Sequence, residues 1–282
     1  MTRRDIDTLL DEIITLPSLP SIIGKINKLL ENPETPLGEV GKVVSTDPAI
    51  SLKTLRLINS AYYALREKVT SVEHAVVMLG SKVVRNLVLT ATVFDNMKGG
   101  ADSFIRHSIC CGIAMEVLAR HHRSALPLQA DEAFVFGLLH DVGKVIFLQY
   151  LPEECELVLK QMQDEHIPMY VAERTVIGAD HSAIGSQLAL RWKLPDPLVQ
   201  AIAGHHELEL CLDDGARMLA ANLAVADYIC HASGMTDAPG NSPVVDDETW
   251  AASGLTSKDM PKILGEFFEA LPNVDELVKL AA

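Results

Sequence analysis

Apolar positions recur every three to four residues along most of this chain, and prolines and small polar residues separate the runs. Ile22, Ile23, Ile26, Leu29 and Leu30 share one helical face after Pro17 and Pro20, and the run stops at Asn32-Pro33. Beyond Thr35-Pro36, Leu37, Val40, Val43 and Val44 make a second face. Asp47-Pro48 supplies a cap and an N1 proline for a third helix through Leu55 and Ile58, ending near Asn59-Ser60. Thr70 or Ser71 can cap a fourth, in which Val72, Ala75, Val76 and Leu79 keep helical spacing until Gly80 closes it. Ser81 opens a fifth through Val84, Leu87, Val88 and Ala91, and Gly99-Gly100 predicts a break after this amino-terminal bundle.

The pattern continues with a helix from Ser103 to Arg120 and one very apolar helix from Asp131 through Phe147. Ala133 to Leu139 contains no polar side chain, so that helix is expected to be buried on nearly all sides. Another run follows Glu173 through Ile184 and Leu188 to Trp192, and Leu194-Pro195-Asp196-Pro197 restarts a helix that leads into His205-His206. Gly215 to Cys230 is helical, Ser233 to Asp247 reads as a loop, and Lys262 to Leu280 as one or two short helices. The expectation is an all-α fold in three stretches: 1–98, 99–232 and 233–282. Met78, Met97 and Met115 are expected to fill the core, and Trp192 to plug a join between helices.

Composition narrows the function. Hydrophobic residues are 48% and charged residues 22% of 282, which excludes a disordered or fibrous chain. A formal net charge of −14 repels a phosphate backbone, so no nucleic-acid partner is expected. The helix–Gly80-Ser81–helix join has the outline of a DNA-reading motif, but its second helix offers only Lys82 and Arg85 as cations, and ordinary packing accounts for it better. Cys110, Cys111, Cys155, Cys211 and Cys230 form no Cys-x-x-Cys pair and read as reduced core thiols. The start, Met1-Thr2-Arg3-Arg4-Asp5, lacks a signal-peptide stretch, and no uninterrupted apolar run spans a bilayer. A soluble cytoplasmic protein without a membrane partner is expected.

The chemistry concentrates at Gly137-Leu138-Leu139-His140-Asp141-Val142-Gly143-Lys144, where an imidazole and a carboxylate follow a wholly apolar half-helix. An unpaired buried carboxylate costs several kcal/mol, so His140 and Asp141 must face a metal or a hydrogen-bonded cluster; a simple structural His–Asp pair is the competing account. His107, His181, His205, His206 and Asp227 lie on other predicted helices, and bundles build metal sites from side chains on facing helices. Nitrogen and oxygen donors suit Mg, Mn, Fe or Zn, one or two ions, with an aspartate free to bridge. Cys110 or Cys111 could approach the site from the His107 helix, although a small buried hydrophobe is the simpler reading.

The order His107, His140-Asp141, Asp227, with His-Asp-x-Gly-Lys, resembles the signature of the HD superfamily of metal-dependent phosphohydrolases. The amino-terminal half resembles the HDOD subgroup through Leu16-Pro17-Ser18-Leu19-Pro20, Asp47-Pro48-Ala49-Ile50, Leu57-Ile58-Asn59-Ser60 and the Ser71–Gly80 segment. The resemblance implies a helical bundle of the HD type with an HDOD-like amino-terminal part. It also implies a bacterial signalling or adaptor role through protein partners. In that scheme His107, His140 and Asp227 hold one ion, His181 with His205 or His206 holds a second, and Asp141 bridges them. Asp141 and Lys144 would be the catalytic residues, Lys144 stabilising an anionic phosphate ester; a lysine snorkelling toward water is the plainer alternative. The chain departs from the HD-GYP relatives, since Leu208-Glu209-Leu210 replaces their Asp-Gly-x-Gly-Tyr-Pro and Ser103 stands where they place an acidic ligand. The resemblance therefore leaves two functions: a regulatory module, or a hydrolase of a phosphate mono- or diester such as a nucleotide.

Overall fold

The computed structural model describes residues 21–93 (apart from 31, 33, 34, 61, 62, 64 and 66), 102–121, 126, 128, 130–237 and 243–281. The Leu16–Pro20 motif, Pro33, Met97 and the Gly99-Gly100 break lie outside them. The described elements are all helical: α1 (Ser21–Leu30), α2 (Leu37–Ser45), α3 (Pro48–Ile58), α4 (Val72–Leu79) and α5 (Ser81–Val93) form the amino-terminal bundle. Then come α6 (Asp102–His121), α7 (Ala130–Leu139), α8 (Val142–Tyr150), α9 (Pro152–Glu165), α10 (Met169–Val176), α11 (His181–Arg191), α12 (Asp196–Gly204) and α13 (Asp214–Ala232). The carboxy-terminal stretch holds α14 (Asp247–Ser253), α15 (Met260–Ala270) and α16 (Val274–Ala281).

Local chemistry sets the helix ends. Asp47 accepts hydrogen bonds from the Ala49 and Ile50 amides at the start of α3, and Ser71, not Thr70, caps α4 through the His74 amide. Gly80 ends α4 at φ +87°, a backbone state that costs glycine little. The periodic faces then meet in one buried apolar cluster that runs from Ile22 through α6 and α13 to Val278. Helix α6 is its axis: it packs against α7, α13, α15 and α16. Helix α16 also reaches α3, inserting Val274, Leu277 and Val278, so the end of the chain touches both earlier halves.

Several expectations are corrected. The continuous helix from Asp131 to Phe147 is two helices, broken at His140-Asp141, because apolar periodicity on both sides of a two-residue turn hides the turn. The run after Glu173 is also two, α10 and α11, separated by Gly178 at φ +96°. Helices α9 and α14 were not anticipated. Met78 is 44% exposed on the outer side of α4, beside exposed Val77, and is no core filler, whereas Met115 is fully buried. Trp192 is half-buried against the core at the end of α11, as expected of a plug. Residues 132–150 are apolar enough to cross a membrane by length and composition, but 78% of that window is buried in the protein; no other helix among the described residues is.

Candidate metal centre

Two glycines bring the helices of the site close together. A Cβ on Gly137 would stand 2.1 Å from the Cys111 carbonyl oxygen of α6, and one on Gly143 would stand 2.0 Å from the His181 carbonyl oxygen of α11. Neither helix pair could approach this closely with a side chain there. The contacts carry α7 onto α6 beside His107 and α8 onto α11 beside His181, with the His140-Asp141 turn between them.

Each of four imidazoles is fixed in the same way. His140 Nδ1 donates to the Gly137 carbonyl at 2.7 Å and His205 Nδ1 to the Ile202 carbonyl at 2.7 Å, both rings folding back at a helix end. His107 Nδ1 donates to the Met235 carbonyl at 2.8 Å. His181 Nδ1 donates to Glu173 Oε2 at 2.6 Å, and the same oxygen accepts the His181 amide at 2.9 Å. A carbonyl or carboxylate only accepts, so the proton sits on Nδ1 and Nε2 is the atom turned inward.

Those Nε2 atoms converge on two carboxylates. Asp141 Oδ2 lies 3.3 Å from His140 and 3.5 Å from His107, while Oδ1 lies 3.0 Å from His181 and 3.8 Å from His205. Asp227 Oδ1 is 3.1 Å from His107 and 3.9 Å from His140. His206 Nε2 is 2.9 Å from His181 Nε2, its ring stacked on Tyr170. All seven expected ligand residues are thus in one cluster, and one oxygen of Asp141 faces each group of histidines.

Burial decides what such a cluster can do. His107, His140, Asp141, His181, His205 and Asp227 are at most 4% exposed. Yet His140 Nε2, His205 Nε2 and Asp227 Oδ1 complete no hydrogen bond, an arrangement that costs roughly 1–3 kcal/mol per group unless a ligand satisfies it. Donor spacings of 3.0–3.9 Å are those of neighbouring ligands about 2.1 Å from a shared ion. The residues present therefore fit one or two divalent ions.

Electrostatics agree. Burial raises the Asp141 and Asp227 carboxyls, but the surrounding imidazoles, with Lys144 for Asp141, outweigh it and hold both well below the usual range. Burial, with His140 and His181 nearby, pushes His205 down to about 3, so its Nε2 carries a lone pair at neutral pH. Burial lowers His181 too, but Glu173 and Asp141 prevail and lift it to about 10.

Lys144 does not snorkel. It is 8% exposed, with Nζ 2.6 Å from Asp141 Oδ2 and 3.0 Å from Asp237 Oδ2; burial opposes its charge, and the two carboxylates restore it. Arg174 grips Glu207 through two bonds of 2.6 and 2.8 Å and also pairs with Asp180, the N-cap of α11. That network fixes the joins that present His181 and His206.

Sequence reasoning missed Glu173, His231 and Asp237. His231 Nε2 is 3.4 Å from Asp227 Oδ1 at i+4 on α13, so helical spacing carried a signal; Asp237 sits beyond the helix and carried none. Cys111, at i+4 from His107, does approach the site: its Sγ is 3.6 Å from His107 Nε2. Above the cluster, Tyr170, His181, His206, His231, Lys144 and Pro243 line a pocket enclosing about 40 Å³. The pocket has room for ordered waters, and a second cavity of about 200 Å³ shares Lys144 and Met169 with it.

The sequence model of the HDOD domain family matches residues 16–208. The chain is 28% identical over 209 residues to an uncharacterized protein of Treponema pallidum, covering 71% of itself but only 39% of that protein's length. Among solved structures it is similar to an HDOD domain protein of unknown function from Geobacter sulfurreducens, at 25% identity and TM-score 0.80, covering 97% of this chain and 99% of that one. A candidate phosphohydrolase from Shewanella amazonensis aligns at 23% identity and TM-score 0.74, covering 97% and 98%. A candidate signal transduction protein from Marinobacter aquaeolei aligns at 24% identity and TM-score 0.77, covering all of this chain and 61% of that one.

Proposed function

The chain belongs to the HDOD domain family, and from that premise we propose that it is a bacterial, cytoplasmic signal-transduction module that acts through protein partners and is built around a divalent metal centre. The uniform orientation of four buried imidazoles, Nδ1 tied and Nε2 inward, is the observation that carries the metal reading. His107, His140 and Asp227 would hold one ion, His181 with His205 or His206 the other, and Asp141 would be shared. Iron, manganese, magnesium and zinc all accept such donors.

The sequence after His205-His206-Glu207 favours regulation over turnover, because Leu208-Glu209-Leu210 stands where the phosphodiesterase relatives carry Asp-Gly-x-Gly-Tyr-Pro. In this reading the ions tie α6, α7, α11, α12 and α13 together, and partners recognise the resulting surface. The neighbour from Marinobacter carries a signal-transduction description, which agrees with this role.

A second reading, hydrolysis of a phosphate mono- or diester, is favoured by Lys144, whose ammonium stands beside the shared carboxylate, and by the phosphohydrolase description of the Shewanella neighbour. Ions bound there would supply Lewis acidity toward a phosphoryl oxygen and an acidified water. Lys144 would offset charge on the ester, and Asp141 and the tied imidazoles would keep the reacting geometry fixed.

Elemental analysis after purification without chelator, paired with a generic phosphodiester assay with added Mn, tests both. Bound metal with weak or no turnover is expected. Robust turnover that Asp141→Ala abolishes at unchanged melting temperature would favour the hydrolase, and a chain that takes up no metal would overturn the metal centre.

A further inference from the structure

The histidine-rich cluster is not confined to nitrogen and oxygen donors. Cys111 lies one helical turn after His107 on α6, and the ligand atoms of His107, Cys111, His140 and Asp227 all fall within 4.8 Å of one another. A tetrahedral ion with bonds of about 2.0–2.3 Å sets its donors about 3.3–3.8 Å apart, and His107 Nε2 lies 3.6 Å from Cys111 Sγ and 3.1 Å from Asp227 Oδ1. Cys111 is fully buried, with Cys230 as its other polar neighbour. Two donors of the set, His140 Nε2 and Asp227 Oδ1, are also buried and complete no hydrogen bond, which points to a ligand at the spot the sulfur borders.

We infer that Cys111 is a thiolate ligand of the ion held by His107, His140 and Asp227, and that it biases this position toward Zn²⁺ or Fe²⁺ over Mg²⁺ and Mn²⁺. The inference rests on the metal centre proposed above. It makes the two positions chemically unlike, since among the described residues the His181, His205 and His206 group includes no sulfur. A soft thiolate favours zinc and iron, whereas magnesium and manganese prefer oxygen. Loading forms the metal–sulfur bond and releases the thiol proton to solvent, so no oxidant or reductant is required.

Cobalt reports the sulfur directly. The metal-stripped full chain is titrated with Co²⁺ and followed in the near-ultraviolet, where thiolate-to-cobalt charge transfer absorbs, and in the visible, where any bound Co²⁺ absorbs. The expected result is a charge-transfer band that saturates with one equivalent, persists in Cys230→Ser and is lost in Cys111→Ser while visible bands remain. Visible bands without charge transfer in the parent, or a charge-transfer band that survives Cys111→Ser, would overturn the sulfur ligand and leave the metal centre standing. Failure to bind Co²⁺ by equilibrium dialysis would overturn both. Should Cys111→Ser not fold by circular dichroism, X-ray absorption on the zinc-loaded parent decides: a sulfur shell at about 2.3 Å supports the assignment, and nitrogen and oxygen alone refute it.

Discussion

The two halves of the molecule are stabilised in opposite ways. Across 21–93 the buried positions among the described residues are almost all apolar; the polar ones there, Thr54, Ser60 and Asn86, are neutral. In α6–α13 the core also holds His107, His140, Asp141, Lys144, Glu173 and Asp227, and each charge depends on another in the group. Apolar burial adds up nearly site by site, whereas a buried polar network stands or falls as a unit. One bundle thus behaves as scaffold, while the other keeps a costly interior that only a full set of partners offsets.

The sharpest way to break this contrast is Asp141→Ala. It removes the carboxylate that faces both histidine groups and Lys144, and should lower metal-free stability by about 3–5 kcal/mol and metal content to less than one ion per chain; urea melts and elemental analysis read the two effects. Ile26→Ala, in the other half, should cost a comparable or smaller ~2–5 kcal/mol yet leave metal content unchanged, since Ile26 is fully buried in the apolar cluster on α1, away from the helices that carry the site's histidines. A shared loss of metal would show that the halves are not separable.

Smaller changes sharpen it. Glu173→Gln keeps the shape but weakens the acceptor that fixes His181, so the ion held by His181 should lose about 10–100-fold in affinity by calorimetry, and the metal-free chain should melt lower because the His181 charge loses its buried partner. Acidity acts on the same ring. His181 titrates near 10 in the metal-free fold, above its unfolded value of about 6.5. Its contribution is therefore fully present below about pH 6.5 and is lost as pH rises toward 10, so the metal-free chain should melt lower at pH 9 than at pH 7. Metal binding displaces that proton and should tighten over the same interval, by about tenfold per pH unit. Smallest of all, Asp47→Ala deletes the α3 cap and should cost about 1 kcal/mol with no effect on metal or its pH dependence.

How far the sequence foretold this varies with the type of signal. The cap at Asp47 and the periodic faces of α1–α6 follow from local chemistry and are read directly, while the choice of Ser71 over Thr70 needed the structure. The seven residues that cluster at the centre stood out in the sequence because imidazole and carboxylate are conspicuous inside apolar runs. The breaks at His140-Asp141 and Gly178 did not, since the residues on both sides keep helical periodicity and only tertiary contact selects the turn. Glu173 looked like a helix boundary; its role exists only because α10 and α11 fold back on each other, bringing residues eight apart within 2.6 Å. Met78 fits a buried face by spacing, yet lies on the side of α4 that no other described helix covers.

The close approaches at Gly137 and Gly143 set a limit on how such a protein can diverge. A histidine or aspartate of the cluster exchanged for a neutral residue of similar size would cost stability, but it would not force two backbones apart. A single methyl group at either glycine would instead push α7 from α6 or α8 from α11, moving backbone that the whole bundle shares. The site's chemistry can therefore be lost, at a cost in stability, without displacing backbone, whereas the two missing side chains cannot be filled without moving it. A descendant with an altered polar cluster can still keep the same backbone surface, and a descendant that has lost these glycines cannot.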